Sequence, residues 1–216
     1  MHTKPFLNLS PKLMGGVLTV FASLIICAPA MAHHAFGGRA PDNFVEGFLS
    51  GIAHPVIGLD HLAFVIAASL LAATFNRGFL IPVAFVVTSF FGTVIHLSNI
   101  NLPATELFIS LSVLVFGFLL AMKGSLPAGV MIALAAVAGL FHGYAYGESV
   151  IGAGMPSLLA YLVGFSTVQI IISVGVYLIA KQLGKNTDDT KPLNLRIAGF
   201  VFSGIGAVLL STSILR

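Results

Sequence analysis

Charge is scarce in this chain. Asp, Glu, Lys and Arg together make up 8% of its 216 residues, where a soluble domain carries about a quarter. With 57% hydrophobic residues and a mean hydropathy of +1.04, the composition excludes an ordinary soluble domain and describes an integral membrane protein. The formal net charge of +3 does not suggest a nucleic-acid surface either, because the basic residues are scattered between apolar runs. Cysteine is nearly absent. Cys27 stands alone, so a disulfide is excluded within the chain, and cleavage after Ala32 would remove it and leave imidazole and carboxylate as the donors for any metal. Long polar connections are scarce too: "KQLGKNTDDTKPLN" at 181–194 is the only one of any length. "MKGSLPAG" lacks the glycine spacing of a phosphate-binding loop, and no paired HExxH motif occurs.

What the chain does have is apolar runs. Residues 1–32 read as a cleaved secretory signal peptide, with Lys4 and Lys12 ahead of "LMGGVLTVFASLIIC" and Ala30 and Ala32 in an A-x-A end. Ile26 before Cys27 argues against a lipoprotein. Residues 33–55 form an outer amino-terminal segment whose stretch 43–54, carrying Glu46, reads as an interfacial or partly inserted helix. Residues 56–216 form the membrane domain. A span needs about 20 mostly apolar residues, and six candidates follow, at 56–75, 79–98, 103–122, 127–147, 156–180 and 195–214. The expected fold is therefore all-α, a polytopic bundle of six transmembrane helices. Pro55, Pro103, Pro127 and Pro156 sit where helices should begin. Glycines such as Gly117, Gly129, Gly139, Gly164, Gly175, Gly204 and Gly206 permit close helix contact in lipid. With the mature amino terminus outside, Arg77, Lys123, Lys181, Lys185, Lys191 and Arg196 fall inside and only Arg39 and Arg216 outside. This satisfies the positive-inside bias and agrees with secretion into a bacterial inner membrane.

The rare ionisable residues cluster. His54, Asp60 and His61 lie within eight residues at the outer end of the first span. His96 ends the second span, Glu106 opens the third, and His142 and Glu148 close the fourth. An aspartate at a helix centre costs roughly 2.5–3.5 kcal/mol, less near the edge, and intramembrane carboxylates default to a functional reading. Because His54 precedes proline, it is expected outside helical geometry, with Pro55 starting the helix. Asp60 and His61 point about 100° apart, so one can face the bundle axis while the other supports it, the natural arrangement being a histidine ligand whose second ring nitrogen is held by a carboxylate that fixes its tautomer. Bland readings stand beside these: His96 as an interfacial polar residue, Glu106 as a complement to its helix dipole, and Tyr144 and Tyr146 as an aromatic belt. Cleavage after Ala32 would expose His33 and His34, an α-amine beside imidazoles, as an accessory metal-capture pair or a polar start of no consequence.

"HPVIGLDH" (54–61) and "FHGYAYGE" (141–148), with Glu106 opening the third span, resemble the HupE/UreJ family. These are small membrane proteins with secretory signals, associated with hydrogenase and urease maturation and regarded as nickel or cobalt permeases. The resemblance implies His54, Asp60, His61, Glu106, His142 and Glu148 as motif residues. The family commonly has histidine where this chain has Tyr144 and Tyr146. It also implies a non-enzyme that carries Ni²⁺ or Co²⁺ and holds no prosthetic group. Its partners are then the divalent ion and the bilayer, with a metallochaperone or energy-coupling protein left open and no nucleic acid. From the residues alone, an intramembrane zinc hydrolase using the same histidines and aspartate stands as the alternative. A haem-binding bundle is disfavoured by clustering at one end.

Overall fold

The computed structural model describes residues 39–184 and 191–215. The signal peptide read at 1–32 and the His33–His34 pair lie outside the described residues. Within them the protein is all-helical, with seven helices: α1 (Phe44–Ile57), α2 (Leu59–Ala72), α3 (Leu80–Leu97), α4 (Thr105–Ala121), α5 (Ala128–Glu148), α6 (Met155–Gly184) and α7 (Leu193–Leu215). Four of them, α3, α5, α6 and α7, are each long and apolar enough to cross a bilayer. α1 and α2 meet that test only as a pair, bent by 72°. α4 is apolar but has 17 residues, about 25 Å of helix against a hydrocarbon core near 30 Å. The chain is a multi-pass membrane protein.

The helices pack chiefly in three pairs, α3 with α5, α4 with α7 and α1 with α6, and α2 runs among them. Phe64, Val65, Ala67, Ala68, Leu71 and Ala72 of α2 are all buried, as expected of a helix apolar all round. The outer helices instead present Val83, Val87, Phe91, Ile171, Leu178 and Phe200 outward, a surface that suits hydrocarbon and not water. Packing, not a hydrophobic drive, must hold such pairs together in lipid, and two glycines show how. A Cβ on Gly51 would strike the backbone of Tyr161, and one on Gly143 the carbonyl of Ser89. Thr93 fastens the second contact by donating to the Gly143 carbonyl at 2.8 Å. Gly129 and Gly175, by contrast, face open space and allow no close approach.

α1 starts where Asn43 accepts the Glu46 N–H at 3.0 Å while the Glu46 carboxylate takes the Asp42 N–H at 3.1 Å, a reciprocal cap. Arg39 holds the same carboxylate at 2.8 and 3.0 Å, which raises the guanidinium above its ordinary pKa. The helix does not stop before proline. His54 and Pro55 both lie inside α1, and the chain turns at Gly58 (φ −69°, ψ 99°). The expectation that Pro55 begins a helix is corrected here. Proline lacks an N–H and leaves the Gly51 carbonyl without its helical donor, but the Gly58 N–H still bonds the His54 carbonyl at 2.9 Å. The turn therefore falls at the first residue after the helix.

At the opposite end of the bundle the cations cap helix carboxyl termini. Lys181 donates to the Phe75 carbonyl at 3.1 Å, just beyond α2. Lys191 donates to Leu119 and Gly124 at 2.9 and 2.6 Å, and Arg196 to Ala121 at 2.9 Å, around the end of α4. Each positive group satisfies carbonyls left over by the helix and meets the negative end of its dipole. Burial pushes the Lys191 ammonium below the usual lysine pKa.

Candidate metal site

His54 sits in the last turn of α1, His61 in the first turn of α2 and His142 near the end of α5. The bend at Gly58 carries His61 back towards His54, and their ring centroids are 5.5 Å apart. His142 arrives from a different part of the chain, with its Nδ1 2.7 Å from the Nδ1 of His61. All three rings are buried, His61 and His142 completely. Phe64 and Phe85 wall off His142 at 4.8 and 5.4 Å between centroids, so no water completes its bonding from that side.

The hydrogen bonds assign the tautomers. Ser112 gives its single proton to the Ile109 carbonyl at 2.6 Å, so its oxygen accepts from His142 Nε2–H at 2.9 Å. His142 then carries its lone pair on Nδ1, which accepts from His61 Nδ1–H. That leaves His61 Nε2 as the nitrogen with a lone pair, 3.9 Å from Asp60 Oδ1. His54 is held in the same sense. Tyr161 donates to the Tyr146 carbonyl at 2.9 Å, and its oxygen accepts from His54 Nδ1–H at 2.8 Å, with Ser149 Oγ also at 2.8 Å. The lone pairs of both His54 and His61 therefore lie on an Nε2 that is shut off from solvent.

A carboxylate oxygen and an imidazole lone pair both present negative charge, and at 3.9 Å they repel unless a proton on Nε2 or a metal ion lies between them. Metal–imidazole and metal–carboxylate bonds of about 2.1 Å each span that gap. Asp60 is partly exposed, at 24% of its side chain, so the pair opens towards the end of the bundle. The carboxylate does not orient the ring as expected. Asp60 Oδ1 accepts the His61 backbone N–H at 2.8 Å and caps α2, while His142 orients the His61 imidazole.

The remaining sequence candidates stand apart from this cluster. His96, in the last turn of α3, packs edge-on to Tyr144 at 4.4 Å. Glu106 and Glu148 are exposed at the ends of α4 and α5. Among the described residues, no three His, Cys, Asp or Glu side chains converge tightly enough to hold a metal together. Tyr146 is no belt residue: it is fully buried, 4.3 Å from the His61 ring and 5.0 Å from that of His54. Its position one helical turn after His142 places both on one face, a signal the sequence carried. Ser112, Ser149 and Tyr161 had no such signal, since their partners lie 30, 95 and 107 residues away.

The chain matches the HupE / UreJ protein family over residues 21–209. It belongs to the HupE/UreJ family. Protein HupE of Rhizobium leguminosarum bv. viciae is 30% identical to it over 197 residues, covering 90% of this chain and 96% of that protein. No solved structure matches the chain. The HupE/UreJ proteins are accessory and transport proteins associated with nickel or cobalt uptake for hydrogenase and urease, and they are not enzymes. The hydrolase alternative is therefore set aside. A haem between facing imidazoles is set aside as well, because His61 and His142 bond each other directly.

Proposed function

We propose that this HupE/UreJ protein carries Ni²⁺ or Co²⁺ across a bacterial inner membrane, and that Asp60 and His61, with His54 beside them, capture the ion at the outer face. The observation that supports this reading best is the His61 Nε2 lone pair facing the Asp60 carboxylate at 3.9 Å. Imidazole suits both metals, and one carboxylate offsets charge without the firm hold of a thiolate. The site must fill and also empty. His142 orients His61, while His96, Glu106 and Glu148 supply further donors around the mouth. His33 and His34 add an accessory chelating start once the signal peptide is removed.

If the bent α1–α2 pair and the shorter α4 both cross, six spans result, with both mature termini outside and the cation-capped end inside. The ion would then be released towards metallochaperones serving hydrogenase, urease or cobalamin synthesis. Uptake of radiolabelled Ni²⁺ and Co²⁺ in cells lacking other carriers tests the reading. Wild-type protein that raises uptake of neither ion overturns it.

A further inference from the structure

Beneath the histidine cluster, on α6, lies a second polar group that the capture site does not use. Gln169 is completely buried, and neither its amide nitrogen nor its oxygen makes a hydrogen bond of proper geometry. The buried Ser173 hydroxyl, one turn further, makes none either. The Tyr146 hydroxyl, which lies against the capture site, is likewise buried without a well-formed bond. Gln169 is its side-chain hydrogen-bonding neighbour, and the Asp60 carboxylate lies within its electrostatic reach. Gln169 offers the buried Tyr146 hydroxyl a loose partner, but part of its own carboxamide and the Ser173 hydroxyl still go unpaired, a cost that folding alone does not explain.

The order of these groups is directional. Tyr161, which holds His54, is followed along α6 at four-residue intervals by Phe165, Gln169 and Ser173, neighbours on one helix face. Gln169 thus lies about 12 Å along the helix from Tyr161. Phe165 between them is fully buried and packs on Tyr146 at 5.2 Å, so the polar link runs past it through the Tyr146 hydroxyl.

Resting on the transport reading above, we propose that Gln169, flanked by the hydroxyls of Tyr146 and Ser173, is a second and weaker station for the divalent cation after it leaves the histidines. Neutral carboxamide and hydroxyl oxygens bind late first-row ions less firmly than imidazole. A step down in affinity along the path is what release requires.

The test separates capture from passage. Gln169→Leu should fold and should keep the affinity of the histidine capture site for Ni²⁺ and Co²⁺ in detergent, since that site lies on other side chains. Its uptake per molecule in cells should fall about tenfold or more, the scale of losing a metal-supporting contact. Ser173→Ala, a smaller change, should lower uptake in the same direction with binding kept. Wild-type uptake by Gln169→Leu overturns the station while leaving the transport reading intact. So does a joint loss of melting temperature, binding and uptake, which marks a structural role. If Gln169→Leu does not fold, normal uptake by Ser173→Ala overturns it. A wild-type protein that binds metal but transports none removes the transport reading first, and the station with it.

Discussion

Replacing Ser112 with alanine tests the tautomer argument at its far end, two residues removed from any proposed metal bond. Ser112 accepts from His142 Nε2–H at 2.9 Å, and His142 is fully buried, so water cannot replace the lost acceptor. Keeping the original tautomer leaves a buried N–H unsatisfied, at about 1–3 kcal/mol. Avoiding that cost moves the His142 proton to Nδ1, which reverses the 2.7 Å bond to His61. The His61 proton is then driven onto Nε2, the atom that faces Asp60. Metal binding must undo this shift, and about 1.4 kcal/mol is a factor of ten in affinity. Ser112→Ala should therefore weaken Ni²⁺ or Co²⁺ binding to the detergent-solubilised protein by about tenfold or more. Ser112→Thr keeps the hydroxyl and a helical hydrogen bond and should restore it. Calorimetric titration reads the affinity directly. Wild-type affinity in a folded Ser112→Ala protein, or equal defects in the alanine and threonine variants, would refute the relay.

Asp60→Asn keeps an acceptor for the His61 N–H and so keeps the α2 cap. It should fold normally yet lose metal affinity, and a melting temperature that drops with the affinity would point to a capping role alone. Gly143→Ala forces a methyl onto the Ser89 carbonyl; overpacking of this kind costs about 1–3 kcal/mol, to be read as a lower melting temperature, and an unchanged one would contradict the close α3–α5 contact. With Cys27 removed, single cysteines at Ser98 and Ser125, both exposed at opposite ends of the bundle, should react differently with an impermeant thiol reagent in intact cells. Labelling should occur at 98 and, only after lysis, at 125; the converse pattern reverses the orientation. Amino-terminal sequencing of the purified protein should begin at His33, and His33→Ala should retain transport at saturating metal.

Much of this architecture could be read along the chain. Low charge, apolar runs and prolines near Thr105, Ala128 and Met155 marked the helices α4 to α6, because in lipid each helix must satisfy its own backbone and so announces itself locally. The run before α2 was harder. Pro55 reads as a helix start, yet the helix carries through it and yields at Gly58, since what decides the turn is the packing of α1 on α6 through Gly51, not the preference of one dipeptide.

The histidine site divides along the same line. His54, Asp60 and His61 were visible because ionisable groups in an apolar chain are conspicuous, and their types alone supply imidazole and carboxylate groups. Which nitrogen of each ring carries the lone pair was not visible. A tautomer is set by the hydrogen bond at the other nitrogen, and here those partners, His142, Ser112 and Tyr161, come from α5, α4 and α6. Side chains so distant in sequence share no periodicity. Only the crossing of separate helices brings them within 3 Å and turns two ordinary histidines into a matched pair of donors.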